Sequence, residues 1–372
     1  MESIEQMIKR LCPEGVKYVK LGEVCEILDS QRKPVSKAKR VAGEYPYYGA
    51  NGIQDYIDNY IFDGTFILLG EDGSVINKDN SPVLNWATGK IWVNNHAHIL
   101  VEKQGVAKLR YLYFVLQKVD VSPIVRGVPP KLNQKNLREI EIPLPPMEVQ
   151  ERIVEVLDKM TALTAELQAE LEARKQQYEY YRNQLLTHFA PDEPVREYSL
   201  GELGTISTGT HNTKDGLQEG LYPFYTRGID VLRLNSYDYD ETAVITAGDG
   251  AGVGKVIHFA KGKFALHQRA YKIVVDETKI LSKYLYYYMN ATFYNYIMKS
   301  SFSSSVTSIR KPMLFDYPIP VPSLEEQERI VSILDKFEVL VNDLSQGLPA
   351  EIEARRQQYE HYRNRLLTFE RR

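Results

Sequence analysis

This chain has only two cysteines among its 372 residues, Cys12 and Cys25. Two thiols cannot supply a disulfide framework or a four-thiolate zinc site. Long apolar runs are scarce too. Runs such as Thr65–Leu69 fall far short of the ~20 apolar residues a membrane-spanning helix needs. The opening MESIEQMIKR has no apolar signal-peptide core. Neither sign of charge dominates: 46 Lys and Arg face 49 Asp and Glu, a net charge of −3. That balance leaves nucleic-acid binding open, because phosphate contact depends on local patches. A hydrophobic share of 43% and a charged share of 26% exclude disorder for most of the chain. The expectation is a soluble, cytoplasmic protein longer than one domain usually is.

What the chain does have is a repeat. Residues 172–186 read EARKQQYEYYRNQLL, and 353–367 read EARRQQYEHYRNRLL. Only Lys175/Arg356, Tyr180/His361 and Gln184/Arg365 differ. QERIV precedes each copy, at 150–154 and 327–331. Such a repeat predicts two similar halves. Further landmarks align: Leu21-Gly22-Glu23 with Leu200-Gly201-Glu202, and Tyr45-Pro46-Tyr47-Tyr48 with Tyr222-Pro223-Phe224-Tyr225. Asp72-Gly73 matches Asp249-Gly250, and Gly89-Lys90 matches Gly262-Lys263. Between landmarks the halves diverge heavily. The helices therefore share one task, while each globular part has its own.

Prolines at 143, 145 and 146, and at 318, 320 and 322, close the globular parts, since proline does not fit inside a helix. Helical patterns follow at once. Ser323 with Glu326 three residues on predicts a capping box. The first helix carries Ile153, Leu157, Met160, Thr164, Leu167, Leu171, Arg174, Tyr178, Tyr181 and Leu185 at alternating steps of four and three. That is the coiled-coil period. The second carries Ile330, Leu334, Phe337, Val341, Leu344 and Leu348, then Ile352, Arg355, Tyr359, Tyr362 and Leu366. Its copy of the repeat holds four extra residues, a stutter. With Gly347 and Pro349 there, a kink or break is predicted.

The globular parts read as mixed α and β. Thr65–Leu69, Ile99–Val101, Ala243–Thr246, Lys255–Phe259 and Tyr271–Val275 are predicted strands. Residues 107–119 and 280–299 are predicted helices. The two Asp-Gly pairs suit tight hairpins. If the long helices pack antiparallel, the order globular, helix, globular, helix gives approximate two-fold symmetry. About 40 helical residues at 1.5 Å each would span roughly 60 Å. That is a little under two turns of B-DNA at roughly 34 Å per turn.

The duplicated QERI and E-A-R-[KR]-Q-Q-Y-x-x-Y-R-N-x-L-L helices resemble the specificity subunits of Type I restriction–modification enzymes. The I-P-L-P-P stretch before Gln150, G-L-P-A-E-I at 347–352 and the YP-[YF]-Y motifs strengthen the resemblance, which covers essentially the whole chain. It implies an α+β fold with two target recognition domains, at 1–146 and 191–322. Spacer helices at 147–190 and 323–372 would form an antiparallel coiled coil with pseudo-two-fold symmetry. It further implies a non-catalytic subunit that reads a split site in double-stranded DNA and binds two methyltransferase subunits, which use S-adenosylmethionine. Restriction subunits that use ATP can join them. A coiled-coil scaffold with two protein-binding ends is the alternative.

Candidate DNA contacts follow from residue type. Arg32, Lys33, Lys37, Lys39 and Arg40 lie in the acid-free stretch Gln31–Arg40 and could grip phosphates; a solvated basic loop is the competing reading. Lys131, Asn133, Gln134 and Lys135 mix donors that read base edges. Ser303, Ser304, Ser305, Thr307, Arg310 and Lys311 hold the equivalent place in the second half, and Arg227 is a further candidate. Enzyme signatures are missing. Neither Pro-Pro pair sits in the Asn/Asp-Pro-Pro-aromatic loop of an adenine methyltransferase. The glycine-rich 248–255 stretch fits neither the dinucleotide nor the P-loop template and reads as a hairpin tip. His96 and His98 would share a strand face, but without nearby Cys or a carboxylate cluster no metal is expected.

Overall fold

The run Phe62–Gly70 buries Phe66 to Gly70 without a break. Unbroken burial marks a strand covered on both faces. Ile67 and Leu69 point into one hydrophobic cluster, Phe66 and Leu68 into another. In the second half Val244 and the pair Ala243 and Ile245 divide in the same way. A computed structural model describes residues 2–299, 308–342 and 346–372.

The first half runs α1 (Ile4–Leu11), β1 (Tyr18–Lys20), α2 (Leu21–Val24), β2 (Cys25–Ile27), β3 (Ala42–Gly49), β4 (Gly52–Ile57), β5 (Phe62–Gly70), β6 (Leu84–Val93), β7 (Ala97–Glu102), α3 (Leu109–Leu116), α4 (Gln134–Arg138), β8 (Glu141–Pro143) and α5 (Met147–Thr187). The second runs β9 (Arg196–Ser199), α6 (Leu200–Leu203), β10 (Gly204–Thr208), β11 (Tyr222–Tyr225), β12 (Leu232–Leu234), β13 (Tyr239–Ala247), β14 (Ile257–Leu266), β15 (Ala270–Val275), α7 (Ser282–Lys299), α8 (Lys311–Phe315), β16 (Pro318–Val321), α9 (Leu324–Asn342) and α10 (Leu348–Leu366).

The repeat extends to topology. One six-stranded sheet has the order β2-β7-β5-β6-β3-β4, and the other β10-β15-β13-β14-β11-β12. Strand for strand these are the same. β3–β6 and β11–β14 pair in parallel, and the other neighbours pair antiparallel. Gly89 (φ +80°) and Gly262 (φ +82°) place the same left-handed residue within β6 and β14, a conformation glycine adopts without a Cβ penalty.

The described chain forms two compact units. The first joins residues up to Glu166 with Ile352–Arg372, and the second is Leu167–Glu351. Each therefore holds one six-stranded and one two-stranded sheet with parts of the long helices, whereas the sequence segments set helices apart from sheets. In the first unit Val149, Ile153 and Leu157, near the start of α5, share a core with Leu366 and Leu367 at the end of α10. In the second, Leu186 near the end of α5 shares a core with Ile330 and Leu334 near the start of α9. Tyr178 and Tyr181 meet the Phe337 ring at 6.2 and 6.1 Å. Within each unit the helices are antiparallel. The chain's end docks on the first unit: Val16 N–H donates to the Glu370 carbonyl at 2.8 Å, and Arg372 N–H to the Val16 carbonyl at 3.1 Å.

One cation per half fastens sheet and helix. Arg110 Nε lies 2.7 Å from Asp158 Oδ1, with its guanidinium 4.8, 5.0 and 4.8 Å from the Trp86, Tyr113 and Phe114 rings. Lys283 Nζ lies 3.4 Å from Asp335 and 3.2 Å from Glu338, among the rings of Phe259, Tyr286 and Tyr287.

Several expectations need correction. The strand expected at Lys255–Phe259 begins at Ile257, because residues 248–256 form a loop. The Asp-Gly pairs do not make tight hairpins. They open the long connections after β5 and β13, where isolated bridges tie Asp72 to Lys131 and Asp249 to Ser308. Half of the Ser323 capping box forms: Glu326 N–H donates to Ser323 Oγ at 3.3 Å, but Ser323 N–H is taken by Glu193 at 2.8 Å. The predicted break is present, since α9 ends at Asn342 and α10 starts at Leu348. Gly347 is needed there because a Cβ would stand 2.3 Å from the Val339 carbonyl oxygen.

The seam is uneven. Ile153, Leu157, Ile330, Leu334, Val341 and Leu366 are buried, while Met160, Leu167, Leu171, Tyr178, Leu185, Phe337, Ile352 and Tyr359 are half-buried. Tyr181 and Tyr362 are corrected from core to surface, at 42% and 38% exposed. Leu186, not Leu185, is the fully buried leucine at the end of α5. A pair of helices covers a seam residue from one side only, so full burial needs the adjoining domain. Leu344 lies outside the described residues.

Candidate nucleic-acid interface

Two arginines of the acid-free stretch are consumed by the fold. Arg32 Nη1 donates to Glu71 Oε2 at 2.6 Å and to the Ala97 carbonyl at 2.8 Å, and Nε donates to the Asp29 carbonyl at 2.9 Å. Its side chain is 13% exposed. Arg40 Nη1 reaches Asp55 at 3.2 Å, and its guanidinium lies 4.1 Å from the Tyr47 ring centroid. Both are corrected from phosphate grips to struts that hold the loop against the sheet. Lys33, Lys37 and Lys39 stay exposed.

Behind Arg32 lies a buried polar network. His98 Nδ1 is 2.6 Å from Asp29 Oδ2, and Nε2 is 2.7 Å from the Leu132 carbonyl. Both partners are acceptors, so both bonds form together only when each ring nitrogen carries a proton. Burial alone would raise the Asp29 carboxyl, but His98 and Arg32 outweigh it and hold it below its ordinary value. Asp29, Glu71 and His98 are close enough to share a metal ion. Arg32, 3.7 Å from Asp29 and 2.6 Å from Glu71, already balances their charge. Sequence reading had found no carboxylates near the His pair. Asp29 and Glu71 are remote in the chain and arrive only through folding.

The loop before α4 is similarly tied. Lys131 Nζ is 3.3 Å from Glu71, Asn133 Oδ1 caps α4 by accepting the Asn136 N–H at 2.9 Å, and Gln134 Nε2 donates to Asp29 at 2.8 Å. Gln134 is half-buried against Asp29, whereas Lys131 and Asn133 stay exposed beside their loop-holding bonds. Lys135 is exposed. In the second half Arg310 and Lys311 are exposed, with Lys311 Nζ 5.3 Å from the Phe315 ring. Ser303, Ser304, Ser305 and Thr307 lie outside the described residues.

Beside these loops both halves build one device with different side chains. In the first, Asn94 is buried, its N–H donates to the Tyr48 carbonyl at 3.0 Å, and its Oδ1 accepts the His96 N–H at 2.8 Å. The His96 carbonyl accepts the Glu71 N–H at 2.8 Å, and the His96 ring pairs with Asp72. In the second, His267 is buried, its N–H donates to the Tyr225 carbonyl at 3.0 Å, and its Nδ1 accepts the Arg269 N–H at 3.0 Å. The Arg269 carbonyl accepts the Gly248 N–H at 2.8 Å. Asp249 takes Arg269 Nη1 at 2.8 Å and Arg227 Nη1 at 2.6 Å. Burial would raise the Asp249 carboxyl, but the two guanidiniums hold it below its ordinary value. Burial and then Arg227 lower the His267 pKa, in keeping with a bare Nδ1 that accepts.

Sequence reading proposed Arg227 but missed Arg269, and it weighed His96 only as a metal ligand. The signal was present: seven residues past the matched Gly89 and Gly262 stand His96 and Arg269. Nothing in the sequence marks those two positions as exposed.

The glycine-rich 248–256 loop joins two strands, β13 and β14, with no helix start after it, so it lacks a phosphate cradle. Burial pushes the Cys25 thiol up to about 12, which removes it as a nucleophile.

A family model for the type I restriction modification DNA specificity domain matches residues 13–173 and again 192–354. The chain belongs to this family. Each match takes in one of the six-stranded sheets. This specificity subunit is 36% identical to the putative type I restriction enzyme specificity subunit S.HindORF215P of Haemophilus influenzae, over 95% of this chain and 96% of the relative. It is 31% identical to the EcoR124I/EcoR124II specificity subunit of Escherichia coli, over 99% and 98%. In fold it is similar to the S subunit of a Type I restriction–modification system from M. genitalium, with a TM-score of 0.66 at 14% identity, over 95% and 96% of the two chains. The specificity subunit thus serves DNA recognition. No helix among the described residues is long and apolar enough to cross a membrane.

Proposed function

We propose that this subunit reads a split site in double-stranded DNA, one half-site per sheet, and carries two copies of a methyltransferase subunit on its repeated helices. The observation that carries this is a strand order repeated without change beneath loops that differ. The helices repeat their surface as well. Tyr180 and Tyr181 form an exposed edge-to-face pair at 5.4 Å, and His361 and Tyr362 repeat it at 5.6 Å. A partner that fits one copy fits the other. On this reading the methyltransferases flip out an adenine in each half-site and methylate it with S-adenosylmethionine. Restriction subunits that use ATP can join the same assembly. Both cofactors belong to the partners.

Selection of the assembled complex against random DNA pools tests this. Two short motifs separated by a fixed gap are expected, with affinity that falls steeply as salt rises. A single contiguous motif, or DNA binding indifferent to salt, favours a protein-binding scaffold instead.

A further inference from the structure

We infer that Arg269, held by Asp249, reads a guanine in the second half-site, and that His96, held by Asp72, is its counterpart at the matching position of the first. The inference rests on the split-site reading above.

What the halves share here is the means of presentation. A buried acceptor, Asn94 or His267, fixes the backbone of the residue two places on. A carboxylate, Asp72 or Asp249, fixes that residue's side chain. What differs is the presented group. The side chain of His96 is 46% exposed and that of Arg269 62%. A structural motif would have no reason to keep the frame and exchange the exposed end.

Charge argues against a phosphate grip. A histidine beside a carboxylate has little net positive charge, yet it occupies the same place as the arginine. The role common to both is therefore chemical discrimination, not attraction to phosphate. Asp249 takes one nitrogen from Arg269 and one from Arg227. Each guanidinium keeps further N–H donors, and the fork of arginine matches the O6 and N7 acceptors of guanine in the major groove. Anchoring before DNA arrives reduces the entropy lost on contact. For His96, Asp72 pairs with Nδ1, which leaves Nε2 as the ring nitrogen that can meet a base edge. A single imidazole nitrogen and a guanidinium fork at one position make the two half-sites differ there.

The test uses the full chain assembled with its methyltransferase partner, selected against random DNA pools. Wild type should yield a split motif with a guanine in the second half-site. Arg269→Ala should lose that preference by roughly tenfold, leaving the first half-site unchanged. Arg269→Lys keeps the charge and loses the fork, so it should lose the preference too. His96→Ala should relax one position of the first half-site only, and His96→Arg should introduce a guanine there. Unaltered selection by Arg269→Ala overturns the inference. So does uniform weakening on all sequences with full rescue by Arg269→Lys, which marks a phosphate contact. A wild-type complex that selects a contiguous motif removes the split-site reading itself, a result visible before any variant is compared.

Discussion

Gln327 Nε2 donates to the Pro322 carbonyl at 2.9 Å, fastening the first turn of α9 to the end of β16. Its Oε1 accepts the Leu281 N–H at 2.8 Å, just before α7. Gln150 repeats this in the first half, with Pro145 at 2.9 Å and the Lys108 N–H at 3.0 Å. Both glutamines are buried, at 0% and 1% exposed. A long helix must leave its domain at a set angle, and the amide of a glutamine is neutral, donates from one terminal atom and accepts at the other. This explains why QERIV recurs. Gln327→Leu should strand a buried N–H and a buried carbonyl, at a cost of about 2 kcal/mol or more. Denaturant unfolding measures it, and a variant as stable as wild type would contradict the latch.

Arg32 and Lys37 are both basic loop residues, yet they should fail in different assays. Arg32→Ala removes the cation between Glu71 and Asp29 and should cost about 3 kcal/mol of stability, as for other broken buried pairs. Lys37 is exposed, so Lys37→Ala should leave stability unchanged and make DNA affinity less steeply dependent on salt. Thermal unfolding and a salt titration separate them. Equal stability of the two variants would refute the assignment.

Acid should weaken the second unit through His258 and His267. Burial lowers both pKa values below 6.5, against a backbone bond to Gly228 for His258. His267 faces Arg227, Asp249, Arg269 and Asp215. The unfolded chain then binds protons that the folded one refuses, so this stability is complete above pH 6.5 and declines as pH falls below it. The depressed carboxyls Asp29 and Asp249 act only further into acid, below their ordinary value of 3.8. Unfolding midpoints should therefore drop between about pH 7 and 5.5. A His258→Asn, His267→Asn variant should flatten that drop, the second change copying Asn94. An unchanged slope in the variant would show that other groups carry it.

The long helices were legible because their signals are local. Ile153, Leu157, Ile330 and Leu334 stand at the coiled-coil period and are buried as expected. Gly347 announced the break between α9 and α10. Strands were legible where the run is apolar, as at Thr65–Leu69, of which Phe66 to Leu69 are buried. The Asp-Gly pairs were misread because their partners, Lys131 and Ser308, lie some sixty residues on. Residue type alone made Arg32 and Gln134 candidates for DNA. Only the fold shows both turned toward Asp29.

By itself, the order of residues determined the duplication, the helices and the kinship, since repeats and periodicity are properties of neighbours along a chain. Only the tertiary structure decided which polar groups are spent and which are presented. A side chain's freedom depends on acceptors that folding brings from far away: Glu71 for Arg32, Asp249 for Arg269.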